Sequence, residues 1–186
     1  MIPNMTELHT LVQKKLQSRF GNGLLSSEIQ YDFPIFVLKK DILKDSLKFL
    51  KEDTELNFHF LTTMCGLHYP EITRPEITRP EITNSEIKGS MLGLMYQMHN
   101  LSKNWRIRLK YFMSIEDLKV PTVSDLFPTA NWMERQEYDF FGFQFVGHPN
   151  LKRILNMDEM DYFPMRKEYP LEDAGRDDKN DTMFGR

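Results

Sequence analysis

A five-residue unit built around proline interrupts the middle of this chain and limits what that stretch can fold into. The sequence Pro-Glu-Ile-Thr-Arg begins at Pro70, repeats at Pro75 and changes to Pro-Glu-Ile-Thr-Asn at Pro80. Proline lacks a backbone N–H and fixes its φ angle, so this spacing disfavours both a long helix and a central strand. Residues 68–90 are therefore predicted to be a solvent-exposed, mobile loop without a catalytic role. The alternative is that the loop contacts a partner.

The segment that follows this insertion predicts two strands that pair with each other. Met91 to His99 is apolar on both faces, as in the centre of a sheet. From Trp105 to Tyr111 basic residues alternate with apolar ones, which predicts a strand with one solvated face. Residues 100–104 would form the hairpin between them. The basic residues of the solvated face are Arg106, Arg108 and Lys110.

Two further strands are predicted before the insertion. The short apolar run at residues 35–38 follows a proline, and residues 56–67 alternate in polarity over part of their length. A period of two places neighbouring side chains on opposite faces. Phe58 and Phe60 would lie on one face, with His59 and Leu61 on the other.

Two helices are predicted within the first fifty residues. Asn4 is a favourable N-cap for the first, and Gly21 and Gly23 favour its end. Asp41 would cap the second. Their apolar faces are Leu8, Leu11, Val12, Leu16 and Phe20 in the first, and Leu43, Leu47 and Leu50 in the second. The order helix, strand, helix and three strands predicts an α+β fold, a mixed sheet with helices packed on one face.

A third helix is predicted from Thr129 or Asn131 to Gly142, which would close it. One side of its helical wheel groups Trp132, Met133, Gln136 and Phe140. Gln136 is therefore expected to point into an apolar stripe and to have a hydrogen-bond partner there.

Beyond Phe145 the periodicity fades. Pairs of a residue with proline favour extended or turn conformations, and the charged C-terminal stretch has little apolar surface to bury. We predict that residues 1–147 form one domain and that residues 148–186 form an extended tail that binds a partner.

Composition excludes several classes of protein. A net charge of −3 gives no basic field for nucleic acid, and no apolar run reaches the roughly 18 residues of a membrane helix. The single cysteine, Cys65, excludes an internal disulfide and a thiolate-held cluster. Cys65 and His68 have a metal-like spacing, but a zinc site needs three or four ligands. A buried strand cysteine is the favoured interpretation.

Three carboxylates, Glu134, Glu137 and Asp139, lie within six residues. One interpretation is a small acid–base enzyme that uses Glu134, Glu137 and His148. The other is structural, because helical spacing would place Glu134 near Tyr138 for a hydrogen bond and Arg135 near Asp139 for an ion pair. The residues alone leave both open.

Three blocks carry a more specific signal: NWMERQEYDFFG at residues 131–142, HPNLKRIL at 148–155 and PMRKEYPL at 164–171. In this order and spacing they resemble the signature of the 30-kilodalton subunit, designated C, of NADH–quinone oxidoreductase (respiratory complex I). The resemblance covers roughly residues 33–171. Gln136 stands where the family has Glu, and His68 where it usually has Asp. The proline repeat has no counterpart in the family.

The resemblance implies a protein without an active site of its own. Members of this family carry no flavin and no iron–sulfur cluster; FMN, the iron–sulfur clusters and quinone belong to partner subunits. It implies docking on a large neighbouring subunit, designated D, which helps form the quinone site. We call this neighbour the large quinone-site subunit. The resemblance also implies contacts with other peripheral-arm subunits. It also implies a place on the cytoplasmic side of the bacterial inner membrane, reached through the complex, with no membrane span and no nucleic acid.

The resemblance also places the partner interface on the signature residues. Arg153, Arg166 and Lys167 are the expected anchors, because Arg and Lys suit carboxylates on a partner. The full predicted interface comprises Glu134, Arg135, Tyr138, Asp139, Gly142, His148, Pro149, Leu151, Arg153, Leu155, Arg166, Lys167, Tyr169 and Pro170.

Overall fold

A computed structural model describes residues 5–70 and 90–169 of the chain. Most of the proline repeat, the predicted cap Asn4 and Pro170 lie outside these ranges, so the predictions made for them remain predictions. The described elements, in chain order, are α1 (Met5–Phe20), β1 (Leu24–Gln30), β2 (Phe33–Leu38), α2 (Leu43–Glu52), β3 (Phe60–Tyr69), β4 (Met91–Asn100), β5 (Trp105–Ser114), β6 (Lys119–Pro121), α3 (Ala130–Phe141) and β7 (Gln144–Val146).

Five strands form one mixed sheet in the order β1-β2-β5-β4-β3. Only β2 and β5 are parallel neighbours in it, and α2, β3 and β4 lie in the connection between them, as a parallel pair requires a long crossover. The predicted hairpin joins β4 to β5 and pairs Asn100 with Trp105. β4 lies between β5 and β3 and is buried along almost its whole length, which confirms its prediction as a central strand.

The three α-helices of the described residues pack on one face of this sheet, which confirms the predicted α+β class. Phe36, Leu109, Tyr96 and Met64 are paired in register across β2, β5, β4 and β3, and they form a buried row. His9 of α1 stacks on the Phe36 ring, with ring centroids 5.4 Å apart. α2 and α3 join the same face through contacts to β5 and β3.

The sheet contains one strand that the sequence did not predict. β1 pairs antiparallel with β2 and forms the edge of the sheet. Its residues are mostly half-buried and show no clean alternation, because an edge strand beside α1 has neither a fully buried nor a fully solvated face. Tyr31 and Asp32 both have positive φ angles and form the tight turn between the two strands.

The start of the second helix was predicted wrongly. A short 3₁₀ turn at Lys40–Ile42 precedes α2, and Ile42 rather than Asp41 occupies the cap position, without a side-chain capping bond. The inner face was predicted correctly. Leu43, Leu47 and Leu50 are fully buried in the core.

The predicted faces of the strand after α2 were also wrong. Phe58 and Leu61 are buried, whereas His59 and Phe60 are exposed. Asn57 has a positive φ angle and β3 begins only at Phe60, so the alternation cannot be extended backwards through this bend. A bulge between Leu61 and Thr63 shifts the register again.

The basic face of β5 is less solvated than predicted. Arg106 is exposed, but Arg108 is half-buried and Lys110 is 8% exposed. Arg108 Nε donates to Gln97 Oε1 at 2.8 Å, and its guanidinium lies 4.1 Å from the centroid of the Phe33 ring. β5 has paired neighbours on both sides, so long side chains from β2 and β4 surround its polar residues.

Candidate functional site

Helix α3 turns a different face to the core from the predicted one. Its buried residues are Ala130, Glu134, Glu137, Asp139 and Phe141. Met133 and Phe140 of the predicted apolar stripe are partly buried against the core. Trp132 is 64% exposed and Gln136 is exposed, so the prediction that Gln136 points into an apolar stripe was wrong. The reason is that hydrogen-bond donors from other elements meet the glutamates inside, and the helix's own polarity pattern does not reveal such donors.

Glu134 joins α3 to the segment that follows β6. The Thr122 hydroxyl donates to Glu134 Oε2 at 2.5 Å, and the Val123 N–H donates to Oε1 at 2.7 Å. Burial raises the pKa of Glu134 to about 7, although these two hydrogen bonds oppose the rise. The carboxylate therefore has both of its oxygens occupied within the fold.

Glu137 joins α3 to the edge strand β3. The Gly66 N–H donates to Glu137 Oε2 at 2.5 Å, and burial raises the pKa of Glu137 to about 7. A Cβ atom on Gly66 would lie 2.5 Å from the Phe141 ring. Glycine at this position therefore allows α3 to approach β3 closely enough for the carboxylate to reach the strand.

His148 lies beside Glu134, with 3.9 Å between Nε2 and Oε2. The Asn150 N–H donates to His148 Nδ1 at 3.0 Å, so the ring proton is on Nε2, which donates to the Asn131 carbonyl at 3.0 Å. The structure thus brings together two members of the predicted acid–base set. Each of them is buried and hydrogen-bonded within the chain, which is the behaviour of groups that stabilise a fold.

Asp139 is the centre of the site. Its carboxylate accepts from Arg153 Nη1 at 2.8 Å and from the backbone N–H groups of Ile154, Leu155 and Asn156 at 2.8–3.1 Å. The Asn156 side-chain amide donates a further bond at 3.0 Å. Burial alone would raise the pKa of Asp139, but these hydrogen bonds hold it well below its usual range. We call Asp139, Arg153 and residues 154–156 the carboxylate hub.

Arg135 does not form the predicted ion pair with Asp139. Its Nε donates to the Lys152 carbonyl at 3.1 Å and its Nη2 to the Arg153 carbonyl at 3.3 Å. Its guanidinium also lies 4.8 Å from the centroid of the exposed Trp132 ring. Arg135 therefore holds the tail from the outer side of α3 while the hub holds it next to the carboxylate.

The C-terminal end of α3 provides a second attachment for the tail. Gly142 ends the helix with a φ of +84°, as predicted, and its N–H donates to the Tyr138 carbonyl. Met165 N–H and Arg166 Nε then donate to the carbonyls of Phe140 and Phe141. A Cβ on Gly142 would lie 2.6 Å from Phe163 and 2.7 Å from Arg166, so glycine also makes room for the tail.

An aromatic side chain joins the two attachments. The guanidinium groups of Arg153 and Arg166 lie 5.2 and 4.6 Å from the centroid of the Phe163 ring, and Tyr138 meets the same ring edge-on. Cations over a ring face are stabilising. Phe163, Asn156 and Thr122 belong to no motif that predicts these contacts from the sequence. Their roles depend on contacts that no local pattern encodes.

The remaining predicted interface residues lie further along the surface. Leu151 is partly buried against the core, whereas Pro149, Lys167 and Tyr169 are exposed and Leu155 is 65% exposed. Large exposed apolar side chains are concentrated here. Within residues 5–70 and 90–169, seven of eleven lie on α3 or after it, namely Trp132, Val146, Leu155, Met157, Tyr162, Met165 and Tyr169.

Residues 5–70 and 90–169 hold neither a metal cluster nor a membrane helix. No group of three or more His, Cys, Asp or Glu side chains there could hold a metal ion, and no helix there is long and apolar enough to cross a bilayer. Burial and then the neighbouring Glu137 raise the pKa of the Cys65 thiol. His68 uses its ring in hydrogen bonds to Ser90 and to the Lys167 backbone.

The fold of this chain is shared with two solved structures. A trypsin-resistant fragment of Nqo5 is similar at a TM-score of 0.57 and 27% identity, over 75% of this chain and 98% of the fragment. A chain from a membrane-bound sulfane sulfur reductase, described as an archaeal respiratory membrane complex, shares the fold at a TM-score of 0.65 and 20% identity, over 87% of this chain and 85% of that chain.

Residues 36–175 match the family model of the respiratory-chain NADH dehydrogenase 30 Kd subunit, and the chain belongs to that family. Its relatives include the second C-type subunit of the NADH-quinone oxidoreductase of Rhizobium etli, 31% identical over 87% of this chain and 78% of that protein. The C-type subunit of Roseiflexus castenholzii is 33% identical over 86% of this chain and 83% of that protein. The resemblance drawn from the signature blocks is confirmed.

Proposed function

We propose that this chain is a non-catalytic peripheral-arm subunit of the proton-pumping NADH–quinone oxidoreductase. It docks on the large quinone-site subunit, designated D, and supports electron transfer from NADH to quinone. Its place is on the cytoplasmic side of the bacterial inner membrane, reached through the complex. FMN, the iron–sulfur clusters and quinone are held by partner subunits. Membership of the 30 Kd subunit family and the names of the relatives support this proposal.

The proposal rests on one observation: at this site the polar side chains are buried and the apolar side chains are exposed. The carboxylates of Glu134, Glu137 and Asp139 point inward and are hydrogen-bonded within the chain. Leu155, which belongs to the hub, and Met157, which follows it, are 65% and 70% exposed. Polar groups turned inward and apolar groups turned outward are typical of a docking surface.

The hub explains how a segment without helix or strand can present such side chains. A tail that is ordered only upon binding carries an entropic cost, which lowers affinity. Here backbone N–H groups of residues 154–156 are already fixed on Asp139. Leu155 therefore projects from a backbone that is held in place before a partner arrives.

The test compares matched apolar-to-charged substitutions on two parts of the surface. Leu155→Asp and Leu101→Asp both change a leucine that is more than half exposed, at 65% and 54%. Leu101 lies in the β4–β5 turn, away from the hub. Each variant is expressed with the other subunits, and the complex is purified through the large quinone-site subunit. The co-purified chain and NADH:quinone activity are then measured.

We expect Leu155→Asp to reduce co-purification and activity at least tenfold. Removing an anchor residue of an interface costs about 2 kcal/mol or more, and about 1.4 kcal/mol corresponds to a factor of ten. Leu101→Asp should behave as the unchanged chain does. Equal recovery of both variants would overturn docking through this surface, and unfolding curves verify that neither change alters the fold.

A further inference from the structure

His68 links three segments that are distant in the sequence. It is the penultimate residue of β3 and is 7% exposed. Its Nε2 lies 2.8 Å from Ser90 Oγ, just before β4, and its Nδ1 accepts the Lys167 backbone N–H at 2.8 Å, across 99 residues of chain. The imidazole thus connects the start of the insertion between β3 and β4 with its far end and with the tail.

The direction of these hydrogen bonds follows from the donor. A backbone N–H can only donate, so Nδ1 of His68 carries no proton and the ring proton is on Nε2. Nε2–H therefore donates to Ser90 Oγ. The result is a continuous chain of bonds from the Lys167 amide through the ring to Ser90.

Lys167 completes a short run of attachments in the tail. Met165 N–H and Arg166 Nε donate to the end of α3, and the next backbone N–H donates to His68 on the sheet. Three consecutive residues are thereby fixed to two different elements. Met165, at 54% exposed, and Tyr169, at 36%, flank this point and face outward.

We propose that His68 is a positioning residue for the docking surface, which sets residues 165–169 against the base of the β3–β4 insertion. This inference rests on the proposed function, because it assumes that these residues contact the partner. Without the imidazole acceptor the Lys167 N–H has to find another partner, and the tail beyond Arg166 loses this attachment to the sheet. The partner would then have to order this segment itself.

Amide hydrogen exchange at Lys167 in the full-length chain tests the link directly. Three variants separate the acceptor from the bulk of the ring. His68→Asn places a side-chain oxygen where Nδ1 lies, and His68→Gln places its oxygen near the Nε2 position, out of reach of Lys167. His68→Ala removes both. The Leu155 amide, bonded to Asp139, is the internal reference.

We expect exchange at Lys167 to rise about tenfold in His68→Ala and His68→Gln and to stay near the original rate in His68→Asn, with Leu155 unchanged. If His68→Ala does not fold, the Asn and Gln variants, which are both polar, decide the question. Equal exchange in those two variants would overturn the proposal.

Co-purification with the large quinone-site subunit tests the consequence for docking. His68→Gln should lower recovery several-fold, and His68→Asn should restore it. A His68→Gln chain that exchanges rapidly at Lys167 and still assembles normally would overturn the positioning role while leaving the proposed function intact. Failure of Leu155→Asp to reduce assembly would instead overturn docking through this surface, on which the positioning role rests.

Discussion

Helix α3 holds carboxylates in two environments whose effects on pKa are opposite. Glu134 and Glu137 face the sheet, and burial raises their pKa values to about 7. Asp139 faces the tail, and its pKa is held well below the usual range. All three side chains are almost inaccessible to solvent. The difference comes from the donors, since five hydrogen bonds, one of them from a guanidinium, converge on Asp139.

Buried carboxyl groups therefore have two different structural roles in α3. On the inner side, a carboxyl group with few donors has a raised pKa and bridges α3 to its neighbours. On the tail side, a fully ionised carboxylate organises three successive backbone N–H groups. The first use joins elements of the domain, and the second attaches a segment that has no helix or strand of its own.

Removing the charge of Asp139 should have the largest effect. Asp139→Asn turns one acceptor oxygen into a donor that faces backbone N–H groups and leaves the Arg153 guanidinium, 6% exposed, without its counter-ion. Breaking a buried pair in this way costs about 3–5 kcal/mol. Urea unfolding and protease cleavage of the tail provide the measurements. Asp158→Asn, an exposed change in the same segment, should have almost no effect, and equal curves for the two variants would contradict the hub.

Glu137→Gln should stabilise the fold, in contrast to Asp139→Asn, and the size of this stabilisation should depend on pH. The folded-state pKa of about 7 exceeds the ordinary 4.5, so the cost of burying the ionised group is absent below about pH 4.5, grows between pH 4.5 and about 7, and stays constant above that. Glutamine retains an acceptor for Gly66 without the charge. The free energy of unfolding of the variant, relative to that of the unchanged chain, should therefore be about 3 kcal/mol higher at pH 8 than at pH 4. Chemical unfolding at both pH values measures this, and Glu159→Gln, which is exposed, is the control. A gain independent of pH would show that ionisation is not the cause.

Gly142→Ala and Gly147→Ala compare two glycines with nearly equal φ angles of +84° and +86°. Each alanine carries the left-handed penalty of about 1–2 kcal/mol. At Gly147 the new Cβ would make only an ordinary 3.4 Å contact with Thr122, whereas at Gly142 it would clash with Phe163 and Arg166. Gly142→Ala should therefore cost about 1–3 kcal/mol more. Thermal unfolding measures the difference, and equal losses would mean that the tail does not lie against the helix end.

Gln136→Leu should have the smallest effect. The helical wheel predicts a buried, hydrogen-bonded side chain and a loss of about 1–3 kcal/mol. In the structure Gln136 is exposed on the side of α3 opposite the glutamates, so stability should change by less than about 0.5 kcal/mol. Urea unfolding distinguishes the two expectations. A large loss of stability would support the helical-wheel prediction and would mean that the Gln136 side of α3 is the buried one.

The sequence by itself determined those features that depend on local spacing. The apolar period of α1, the hairpin of β4 and β5 and the glycine that ends α3 all follow from contacts within a few residues. The three signature blocks also identified the family, because their order and spacing are themselves properties of the sequence.

Only the tertiary structure decided which side of α3 is buried, because Thr122, Val123 and Gly66 supply the donors that make glutamates acceptable inside. It also decided that Lys110 is buried in a central strand and that Leu24–Gln30 is a strand at all. In each case the sequence shows which side chains are polar, but the free energy of burying a polar group depends on its hydrogen-bond partners. The partners of the two glutamates lie 11 to 71 residues away in the sequence and meet them only after folding.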